Sequence, residues 1–180
     1  MIRTLIQDTL MAMLLGVVAV AIFILPSINP PAEADPISQP GNLVASASWP
    51  SGPIDVDLWV QSPGDEAVGY SRKSGRVWSL LRDDLGEAND ATPLNYESAF
   101  TRGLPDGEYA VNLRCYGCAK VPVPVAVEVR LADGGLVWTG TVNLERDKQE
   151  RTAIRFRVRD GAVVKGSESQ VFKQMKRGDA

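Results

Sequence analysis

No histidine occurs among the 180 residues of the chain, and that absence removes the side chain most used as a general base and as a transition-metal ligand. Serine or cysteine nucleophiles paired with histidine, and zinc sites of the usual kinds, are thereby excluded. Cysteine is limited to one pair, Cys115 and Cys118. Basic clusters are missing as well: lysines and arginines alternate with acids, the formal net charge is −3, and no electrostatic footprint for nucleic acid results. No set of groups for covalent or acid–base catalysis is left, so the chain reads as a non-enzyme.

What the chain does have is a long apolar run. Leu5 to Leu25, LIQDTLMAMLLGVVAVAIFIL, is about 21 residues and as a helix rises roughly 31 Å, the thickness of a bilayer's hydrocarbon core. Its one charged side chain is Asp8. A charge within a span costs about 2.5–3.5 kcal/mol, so such a carboxylate usually has a partner or a task. Close to the helix start, about 6 Å deep, it also suits the helix dipole and can snorkel toward headgroups. Ala12, Gly16 and Ala19 are small enough to let a second helix approach.

Arg3 and the terminal amine precede the run, whereas Glu33 and Asp35 follow it and no further Lys or Arg occurs before Arg72. The positive-inside rule then places the amino terminus in the cytoplasm and the rest of the chain outside it. A cleaved secretory signal is the alternative, with Ala32-Glu33-Ala34 as its A-x-A site. The single basic residue and an apolar run longer than the usual h-region of about 7–15 residues favour a retained anchor.

After the span, residues 26–41 carry Pro26, Pro30, Pro31, Pro36 and Pro40 and read as a semi-extended linker. Beyond Gly41 the periodicity shortens to two. Asn42–Trp49, Val56–Val60, Gly107–Cys115, Val123–Leu131, Leu136–Leu144 and Thr152–Val158 are short runs rich in Val, Trp, Tyr and Thr, the composition of strands. Turn chemistry separates them, as in Trp49-Pro50-Ser51-Gly52-Pro53, Leu104-Pro105-Asp106-Gly107 and Asp133-Gly134-Gly135. The pattern predicts a mainly β fold: an N-terminal transmembrane helix over 1–25, the linker, an antiparallel β-sandwich over 42–165, and a tail over 166–180 that is a short helix or disordered. No internal repeat is present.

Two blocks within the sandwich carry chemistry. In Asp55-Val56-Asp57-Leu58-Trp59-Val60 the strand period puts Asp55, Asp57 and Trp59 on a polar face and the aliphatic residues on the other. Brought together with Asp83 and Asp84, these acids would form an oxygen-rich cluster of the kind calcium accepts, although the spacing is not that of an EF-hand. The plainer reading has them capping turns, pairing with arginines or sitting in water. Cys115-Tyr116-Gly117-Cys118 predicts a local disulfide pinning a hairpin tip in an oxidising compartment, since a redox-active C-x-x-C normally opens a helix beside a βαβ unit.

The blocks DVDLWV, SPGDEAVGYS, LLRDDLG, NYESAF and LPDGEYAVNL, over roughly residues 50 to 130, resemble the extracytoplasmic β-sandwich domains of the YfaP-like kind. That resemblance implies a binding or structural module and transfers no chemistry. The segment Leu5–Leu15 resembles the membrane helix of ExbD, TolR and MotB, the small subunits of proton-driven motors, with Asp8 in the ion-carrying position. This second resemblance implies a bacterial inner-membrane stator subunit that dimerises within a polytopic TolQ/ExbB/MotA-like partner. Protons would be the coupling ion, and the outer domain would pass motion to an unknown periplasmic partner. The alternative function is a membrane-anchored extracytoplasmic binding or structural module without ion transport.

Overall fold

A computed structural model of the chain describes residues 1–28, 41–85 and 94–175. The chain divides into two units, Met1–Ile37 and Ser38–Ala180. The first contains α1, Ile2–Ile28, of which Ile2–Ile24 is long and apolar enough to cross a membrane; none of that window is buried within the protein. At about 100° per residue, Asp8, Ala12, Gly16 and Ala19 fall within about 80° of one another and form one stripe along the helix. The proposed linker lies mostly outside the described residues.

The second unit is built from β1 (Leu43–Trp49), β2 (Ile54–Gln61), β3 (Trp78–Arg82), β4 (Asn95–Thr101), β5 (Gly107–Cys118), β6 (Val123–Leu131), β7 (Leu136–Leu144), β8 (Glu150–Arg159) and β9 (Ala162–Val163). Every strand pairing is antiparallel. A five-stranded sheet runs β3-β4-β1-β6-β7 and a four-stranded sheet β2-β5-β8-β9, the sandwich expected from the period-two pattern. In β6 the alternation is plain: Val123, Val125, Val127 and Val129 point inward and are buried, while Pro124 and Ala126 are exposed. Between the sheets Tyr109 stacks on Phe156 at 5.5 Å and meets Trp78 edge-on at 6.4 Å. The Tyr109 hydroxyl donates to Pro105 O at 2.8 Å, the back-bonding geometry of a tyrosine corner.

Exposed sheet edges are pairing hazards, and this chain covers three of its own. Lys73–Gly75 runs along β3, through Leu80 N to Lys73 O and Gly75 N to Trp78 O, both 2.8 Å. Val68 exchanges both backbone hydrogen bonds with Val60 of β2, at 2.8 and 2.9 Å. The third cover corrects the expectation for the tail. Residues 167–175 are neither helical nor disordered but lie as an extended strap along β8: Ser169 and Arg155 exchange backbone bonds at 2.7 and 2.9 Å, and Lys173 N donates to Thr152 Oγ1 at 2.9 Å.

Candidate functional site

The site grows out of β2, whose Val56, Leu58 and Val60 are fully buried between the sheets. The opposite face does not meet solvent as the period-two reading expects. Asp57 and Trp59 are each only 4% exposed, because other parts of the chain fold over that face. The segment around Gly69 covers Trp59 so closely that a Cβ on Gly69 would lie 2.6 Å from the indole ring, which is why the smallest residue stands there. Tyr70 meets Trp59 edge-on at 5.6 Å and Tyr116 at 5.6 Å, and the Lys148 ammonium lies 4.1 Å from the centre of the Tyr116 ring.

Beside this aromatic row sits a cluster of carboxylates. Asp57, Asp83 and Glu97 each place an oxygen within 4.8 Å of the others. Glu97 belongs to β4 in the opposite sheet, opposite the buried Ala47 in the β1 register, so its strand position turns it inward. It is 1% exposed. Its Oε2 accepts from Leu58 N at 2.6 Å and its Oε1 from Asp84 N at 3.3 Å. One side chain thus ties β2, an edge strand of one sheet, to the far end of the other. Asp83 pairs with Lys73 at 2.8 Å, and Asp84 Oδ2 accepts from Arg82 at 3.0 Å and from Tyr96 N at 3.1 Å.

Of the four expected acids, then, the structure joins Asp57 and Asp83 directly, turns Asp84 toward Arg82 and Tyr96, and leaves Asp55 at the margin. Burial raises the Asp55 pKa, the charges of Asp83 and Asp84 raise it further, and Lys148 offsets part of this. Glu97, whose block Asn95-Tyr96-Glu97 the sequence reading sets beside the acids without counting Glu97 among the candidate ligands, is the centre of the cluster. Burial, aided by Asp57 and Asp83, pushes its pKa up to about 9 against the lowering effect of its two backbone donors. The available signal was the alternation Asn95, Glu97, Ala99, Thr101, which sets Glu97 on the same face as a core alanine.

Two chemistries relieve such a cluster. A proton held on Glu97 removes one negative charge at neutral pH. A hard cation would do the same, using carboxylate oxygens of Asp55, Asp57, Asp83 and Glu97. Asp55 Oδ1 and Asp83 Oδ1 are buried oxygens that accept no hydrogen bond among the described residues, as ligands for a cation would need to be. Against a cation stand the bonds already made: both Glu97 oxygens are engaged by backbone N–H groups, and Lys73 and Arg82 supply positive charge nearby.

The cysteines are joined, Cys115 to Cys118, but not at a hairpin tip. Both lie within β5, where Gly117 faces Asp55 and Cys115 faces Val56. Tyr116 is therefore the extra residue of a bulge, and the bridge closes over it. The bulge also aims Tyr116, 43% exposed, toward Tyr70 and Lys148, the re-aiming that bulges commonly produce. Asp147 accepts from Cys118 N at 3.1 Å. Comparison of the chain with protein-family models, with curated proteins and with solved structures found no match.

Proposed function

We propose that this chain is a single-pass membrane protein whose β-sandwich acts outside the cytoplasm as a binding or structural module. The observation that carries the reading is the pairing of one fully exposed apolar helix of spanning length with a separate unit that buries its own core. An apolar helix with no face against protein needs another apolar medium. The charge asymmetry around the span orients the sandwich away from the cytoplasm, and a cystine within β5 suits an oxidising compartment.

A second reading, a stator subunit with Asp8 as the proton carrier, is favoured by one specific feature: Asp8 shares its stripe with Ala12, Gly16 and Ala19. A partner helix seated on those small residues would desolvate the carboxylate and bring it into a protein-lined path. The substitution Asp8→Asn separates the two. It keeps size and hydrogen bonding but fixes the neutral state. The anchored module predicts unchanged membrane levels and unchanged function in the cell, while a stator predicts unchanged levels with function abolished. Full loss of function at matched abundance would therefore replace the first reading by the second.

A further inference from the structure

The fourth sheet edge differs from the other three. The chain pairs or straps β3, β2 and β8, but β7 ends the five-stranded sheet with no backbone segment paired to its outer edge among the described residues. There, the one β7 backbone group reached by a hydrogen bond from outside the β6 ladder is Asn143 O, which accepts from Arg151 at 2.9 Å. The strand is nine residues, LVWTGTVNL, with no proline, no charge and no lysine to discourage pairing. Its bulge falls at one end, where Val129 and Arg130 face it. Natural edges usually carry at least one of these guards along their length, and this same chain guards its other edges.

We infer that the β7 edge pairs with the β7 edge of a second copy of this chain, antiparallel about a two-fold axis at Gly140. The strand's own sequence suits that occupant. With Gly140 opposite its counterpart, Thr139 faces Thr141 of the second copy and Trp138 faces Val142, and the bulge at Val137 ends the regular register before Leu136. Threonine pairs and aromatic–β-branched pairs are favourable cross-strand neighbours. Like charges directly opposite would oppose self-pairing, and the strand carries none. Such an isologous contact closes on itself and joins two five-stranded sheets into one. The contact rests on the anchored reading in one respect only: copies held in one membrane share a plane and meet at raised effective concentration.

Thr139 and Thr141 are exposed, so they can be changed without touching the core. In membranes carrying the full-length protein, the double variant Thr139→Cys with Thr141→Cys should form an intermolecular disulfide dimer on mild oxidation, several-fold above either single variant. Each single variant offers only diagonal neighbours, which lie beyond disulfide reach. Replacing both threonines by lysine should abolish the dimer of the detergent-solubilised chain in light scattering and leave the circular-dichroism spectrum of the folded sandwich unchanged, with at most the fall in melting temperature that loss of a native-state partner brings. Equal cross-linking in the single variants, a dimer that survives both lysines, or a monomeric parent protein would overturn the inference. A monomeric parent would leave the edge to a strand of a different protein. Sedimentation of the same samples with membranes reports anchoring independently of the cross-link, so failure of one is not failure of the other.

Discussion

Two carboxylate settings in this molecule pose the same problem and resolve it differently. In the sandwich, Glu97 is withdrawn from water by its own chain, which meets it with two backbone N–H donors, two neighbouring acids and the means to keep its proton. On α1, Asp8 is exposed, and the proposed membrane reading would set lipid, headgroups or a partner helix around it. The first carboxylate is complete within the fold and serves to fasten one sheet to the other. Among the described residues, the second makes no such contacts within its own helix. Burial within a domain is therefore a statement about architecture, whereas a charge on an apolar helix is a question about surroundings.

The sharpest way to break the comparison is pH. An acid whose folded pKa lies near 9, against 4.5 in the unfolded chain, holds a proton in the native state that the unfolded state has lost. Stability attributable to Glu97 is thus fully present below pH 4.5, is lost progressively as pH rises toward 9, and is flat beyond. Asp55, raised in the same direction, adds to the slope. Chemical denaturation of the sandwich unit, residues 42 onward, should show this decline. Glu97→Gln should flatten it, starting less stable at pH 5, because an amide nitrogen cannot accept from Leu58 N or Asp84 N, and closing the gap by pH 9. Parallel pH profiles for the two proteins would remove Glu97 from the centre of the cluster.

A smaller effect is expected at the bulge. Replacing Cys115 and Cys118 together by Ser removes a cross-link that closes a very short loop, so the loss should fall at or below the low end of about 2–4 kcal/mol. Thermal melting under oxidising conditions measures it, and a collapse of folding would mean that the bridge organises far more than Tyr116. The smallest effect is reserved for calcium. With both Glu97 oxygens engaged and Lys73 and Arg82 close by, added calcium should leave the melting temperature nearly unchanged. A clear rise, which mass action demands of any ligand bound by the native state alone, would show that a cation and not a proton balances the acids.

How much of this was legible in the residues depended on whether pattern and environment agreed. Val123–Leu131 and Leu136–Leu144 were expected with the bounds the structure has, because β6 alternates cleanly and Asp133-Gly134-Gly135 marks the turn between them. β3 and β4 were not expected as strands. β3 is five residues, and β4 sends Asn95, Glu97 and Thr101 inward, so its buried face looks polar until Glu97 is seen bonded across to Leu58 N. The acids of β2 were assigned to the correct face, but solvent was assigned to that face as well. The cover over Trp59 comes from the loop at Gly69 and Tyr70, and the neighbours of Asp57 are Asp83 and Glu97 of later segments, none of which the period of β2 itself can show. The strap has the same cause: Ser167–Met175 has no strong strand composition, and its extended form is set by the β8 edge it pairs with.

The account stands most directly on where the sandwich lies. A reporter active only outside the cytoplasm, fused after Ala45, should be active, and the fusion should stay with the membrane after alkaline washing and begin at Met1. An inactive reporter, or a soluble chain beginning at Asp35 after cleavage behind Ala34, would contradict it.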